Sequence, residues 1–121
     1  MQRIRVLLGR MPRMLRDVIS AAIRETTDML VVDSRDGDPV DPAWLAECDA
    51  DVLIVVPRDS QESATLDSLL FTRPTLTLLT LGDDGRSSTL SELRPYHLML
   101  GNAAPAELLQ AIRTSAQARV H

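Results

Sequence analysis

The sequence predicts an α/β domain, a parallel sheet wound on both faces by helices. Three observations carry that expectation. Short, nearly continuous aliphatic runs stand at 4–8, 29–32 and 51–56 of the 121 residues, as suits strands covered on both faces. Between them lie segments whose apolar residues recur three and four apart, the spacing of a helix face. The two patterns alternate along the whole chain, and that alternation is the mark of strand–helix–strand units.

Ile4 to Leu8 reads as the first strand, closed by Gly9. From about Pro12 to Thr27, Met14, Leu15, Val18, Ile19, Ala22 and Ile23 fall at helical spacing, with Arg13, Arg16, Asp17 and Arg24 mostly on the other face. Pro12 suits the first turn, where a missing amide hydrogen costs nothing. Met29 to Val32 is a second strand, followed by an Asp-, Gly- and Pro-rich stretch from Asp33 to Pro42. Asp41 before Pro42 reads as the N-cap of a short helix to about Glu47.

Asp51 to Val56 is the strongest strand signal and predicts a central parallel strand, ended by Pro57. Ser60 to about Thr72 is a helix carrying Ala64, Leu66, Leu69 and Leu70, and Thr75 to Leu81 is a strand of alternating Thr and Leu. Gly82 to Gly85 is a turn, and Ser88 to Leu93 reads as a short fourth helix. Tyr96 to Leu100 is a fifth strand, and Ala106 to Arg119 a last helix with Leu108, Leu109, Ile112 and Ala116 near one face. The expectation is one domain over residues 1–121, a flavodoxin-like, doubly wound, five-stranded parallel sheet with helices on both faces and right-handed crossovers.

Composition narrows the class of function. A hydrophobic content of 45% and a charged content of 25% belong to an ordinary soluble globular chain. All thirteen basic residues are arginine, so no Schiff-base, P-loop or phosphate-sensing lysine exists. The lone Cys48 forms no internal disulfide, and two histidines (His97 and His121) bring no ligand set for zinc. The first apolar run is too short for a signal-peptide core or a membrane span, which points to a reducing cytoplasm. Net charge is −4, with +3 in residues 1–30 and −6 in residues 31–60. That is a poor balance for nucleic-acid binding, which wants a broad basic face. No glycine pattern for a dinucleotide or P-loop phosphate site follows the first strand, and no cofactor is expected.

The run from Tyr96 to Ile112, YHLMLGNAAPAELLQAI, resembles the fifth strand, polar turn and final helix of bacterial response-regulator receiver domains of the NarL/LuxR type. Ile4 to Leu8 followed by Leu15-Arg16-Asp17, and Asp51-Val-Leu-Ile-Val, fit the same pattern, so the likeness spans nearly the whole chain. The resemblance implies a Mg²⁺-binding acidic pair after the first strand, but Arg10 and Met11 stand there. It implies a phosphoacceptor aspartate where Val56 stands and a lysine where Gly101 stands; only Thr80 matches, as the hydroxyl residue after the fourth strand. Phosphoryl transfer to a carboxylate needs a nucleophile and a divalent cation. Val56 has no nucleophilic atom, and a guanidinium at Arg10 repels a metal. The sequence is therefore identified as a degenerate receiver that lacks its phosphorylation site.

Two readings of Arg10 stand. It is either a solvated loop arginine or the anchor of a remodelled crevice (Arg10, Pro57, Thr80 and Gly101) that takes a small anion or metabolite. The aspartates at 33, 36, 38 and 41 lack calcium-loop spacing and read as a solvated turn. Cys48 reads as a small hydrophobe. The resemblance also implies a partner surface on the fourth helix, fifth strand and last helix, for which Leu90, Leu93, Tyr96 and Leu98 are the candidate anchors. The expected function is a signalling module that works by protein–protein contact, without catalysis or metal. Its partner would be a second copy or another signalling or transcription protein.

Overall fold

The aliphatic runs do become strands, and the periodic segments become helices. The computed structural model describes residues 3–36, 40–82, 88–91, 97–99 and 105–120, with the side chains of 97–99 and 115–120 excepted. The elements are β1 (Ile4–Leu8), α1 (Arg13–Arg24), β2 (Met29–Ser34), α2 (Pro42–Cys48), β3 (Val52–Val55), α3 (Ser60–Thr72), β4 (Thr77–Leu81), β5 (Ser88–Ser91), β6 (His97–Met99) and α4 (Pro105–Val120). The strands form one sheet in the order β2-β1-β3-β4-β5-β6.

The first four strands in that order run parallel, whereas β5 is antiparallel to β4 and to β6. Two expectations are corrected here. Among the described residues the sheet has six strands and is mixed, not five-stranded and all parallel. The segment read as a fourth helix is β5, paired with β4 through Leu79↔Leu90 and Leu81↔Ser88. A helix of six residues nucleates poorly on its own. By contrast, the open edge of β4 offers Ser-Thr-Leu-Ser a ladder on one side, and β6 pairs with its other side.

Strand alternation sorts the core into two layers. On one face, α1 and α4 lay Ile19, Ile23, Leu108, Leu109 and Ile112 against Val6, Leu8, Ile54, Leu79 and Leu90. On the other, α2 and α3 lay Trp44, Leu45, Leu66, Leu69 and Leu70 against Leu7, Leu53, Val55 and Leu78. Neighbouring residues of β1, β3 and β4 thus serve opposite layers, which is why their sequences read as unbroken apolar runs.

Helix ends follow local chemistry. The Asp41 carboxylate accepts from the Trp44 amide at 2.9 Å, as the sequence predicts for an N-cap. Asp59 caps α3 through the Glu62 amide at 2.8 Å, and Glu62 accepts from the Arg58 amide at 3.2 Å, a variant of the capping box. α2 ends on Asp49, whose left-handed φ of 50° turns the chain into β3.

Candidate functional site

In open α/β sheets the carboxyl ends of the parallel strands form the usual binding crevice. Here the ends of β1 and β3 are drawn tightly together. The Gly9 amide donates to the Ile54 carbonyl at 2.8 Å, and the Val56 amide to the Arg10 carbonyl at 2.8 Å, so the ladder outlasts both strands. A Cβ on Gly9 would stand 3.1 Å from Val55 Cγ2, closer than ordinary contact, so a larger residue here would push against the Val55 side chain.

The ladder turns the Arg10 side chain back over Val56. Its Nη2 donates to the Val56 carbonyl at 2.7 Å and lies 3.9 Å from a Glu62 carboxylate oxygen. Its Nε is buried with no hydrogen-bond partner. Met11 and Val56 are both buried in the α1/α4 layer. Two of the positions that the receiver pattern assigns to metal and phosphate are thus filled by packed hydrophobic side chains. A third holds a guanidinium already bound to the main chain.

The remaining candidates do not converge on this point. Thr80 follows Leu78 in strand alternation and so faces the α2/α3 side, opposite to Val56. Its hydroxyl reaches the Thr89 carbonyl at 3.4 Å. Pro57 is half-buried at the start of the β3–α3 connection. Gly101 lies outside the described residues. Of the proposed interface, Leu90 is corrected: it is 2% exposed and packs inside the α1/α4 layer, because β5 alternates and turns that side chain inward. Leu93 and Tyr96 lie outside the described residues, as does the side chain of Leu98, whose backbone pairs with Leu90.

Other arginines also hold the main chain. Arg16, expected on the solvent side of α1, is tucked under the β1 and β2 ends with its side chain 16% exposed. It donates to the Gly9 carbonyl at 2.8 Å, the Arg35 carbonyl at 3.3 Å and the Ser34 hydroxyl, and faces Asp36 at 3.5 Å. At the opposite, amino ends of the strands, Arg5 Nε donates to the Cys48 carbonyl at 2.9 Å and Arg73 Nε to the Ala50 carbonyl at 3.0 Å. Nothing local in the sequence announces these bonds, since each joins residues distant along the chain.

Two carboxylates are held below the ordinary range. A hydrogen bond from the Trp44 indole to Asp33, at 2.9 Å, favours the ionised Asp33, with the Ser34 amide adding to it. Arg35 stacks 4.7 Å from the centre of the same indole ring. Asp28 is lowered chiefly by its hydrogen bond with Arg113 of α4, whose Nη2 lies 3.1 Å from Oδ1. Asp33, read as part of a solvated turn, is thus a residue of β2 pinned to Trp44.

Between α1 and α4 a cleft of about 10 Å³ is lined only by apolar side chains such as Ala22, Leu79 and Pro105. It has room for about one water molecule and no polar group to hold it. Among the described residues no three His, Cys, Asp or Glu side chains gather as a metal-binding group. Nor is any helix among them long and apolar enough to cross a membrane. No protein-family model matches the chain, and no curated protein matches it.

Proposed function

We propose that this chain is a receiver-like regulatory module of flavodoxin-like topology that signals by protein–protein contact, without phosphorylation, metal or cofactor. The observation that carries the reading is the Arg10 guanidinium closed onto the Val56 carbonyl, with the Met11 and Val56 side chains themselves buried in the core. A phosphoryl-accepting site needs the reverse: an open carboxylate, a cation and room for three phosphate oxygens. The order β2-β1-β3-β4 supports the topology, with β5 inserted before the last strand. Its partner is a second copy or another signalling or transcription protein.

The anion-sensor reading of the same crevice has weaker support. Arg10 already donates to a carbonyl and faces the Glu62 carboxylate, which repels an incoming anion.

Incubation with acetyl phosphate and Mg²⁺ should give no phosphoryl mass gain, and beryllofluoride with Mg²⁺ should leave Tm unchanged. A phosphoryl adduct, or stabilisation that requires both Mg²⁺ and the mimic, overturns the reading. For the contact itself, Leu93→Asp and Leu98→Asp should lower the mass measured by light scattering or abolish partner capture. If both properties survive both changes, the last-strand surface is not the interface.

A further inference from the structure

We draw no further inference here: the strongest candidate, the exposed apolar surface patch of Met14 and Val18 on the outward face of α1, is flanked by Arg13 and Arg24 balanced against Asp17 and Glu25, and nothing in the structure shows what covers it.

Discussion

The two halves of the sheet are built on different principles. β2, β1, β3 and β4 run parallel, are joined by helices, and lie between two apolar layers. β5 and β6 are short antiparallel additions to the β4 side. The α1/α4 layer reaches β5 through Leu90, and Ser91, which alternates towards the other side, is buried as well. The parallel strands present aliphatic side chains to both layers, whereas β5 offers one leucine among two serines and a threonine and relies more on its ladder. The crevice where function is expected belongs to the parallel half. There Arg10 Nη2 and Arg16 Nη2 are spent on main-chain carbonyls.

The sharpest way to break this comparison is a pair of truncations. Ile54→Ala removes a side chain held at the centre of the parallel half, and should cost about 3–5 kcal/mol in urea unfolding. Leu90→Ala should cost about 2 kcal/mol, because a strand next to the sheet's edge collapses more readily onto the space left behind. Equal losses would show that the two halves share one core.

Next is Arg16→Met, which keeps the stem but strips the donors from the Gly9 and Arg35 carbonyls and from Ser34. A loss of about 1–2 kcal/mol is expected, with faster amide exchange at the β1 and β2 ends. If exchange instead rises only in β5, the arginine does not hold the parallel half.

Thr77→Val has the opposite sign. Its hydroxyl is buried in β4 with no hydrogen-bond partner, so an isosteric methyl should leave stability unchanged or raise it by about 1 kcal/mol. A clear destabilisation would reveal a bound water at that oxygen.

The smallest effect is electrostatic. Asp28, at the entry to β2, has its folded pKa depressed below the ordinary 3.8 by Arg113. Its contribution is therefore present above pH 4 and lost as the pH falls through the folded value. Arg113→Gln should flatten the acid limb of a stability–pH curve by lowering stability at neutral pH and not in strong acid, and the loss should be small, since the pair is partly exposed and screened by salt. An unchanged acid limb would remove this pair from the account.

The sequence was most legible where one local pattern has one outcome. Ile4–Leu8 and Ser60–Thr72 match their expected bounds, because an apolar run ended by Gly9 and a periodic segment capped by Asp59 leave little choice. Ser88 to Ser91 was misread because four residues carry no helical period, and their strand exists only by pairing with β4. The candidate site divides in the same way. Missing carboxylates and the missing lysine are visible at once in the letters. Where Arg10 and Arg16 point is not, because their acceptors are carbonyls, which every residue possesses.

Residue identity by itself thus determined the class of fold and the absence of a nucleophile at Val56. Those depend on side-chain polarity and on spacing along one element. Only the tertiary structure decided that the last strands join as an antiparallel edge, that Leu90 turns inward and that Arg10 seals the crevice on Val56. Those depend on hydrogen bonds between segments far apart in sequence, and a backbone group accepts whichever donor the fold brings to it.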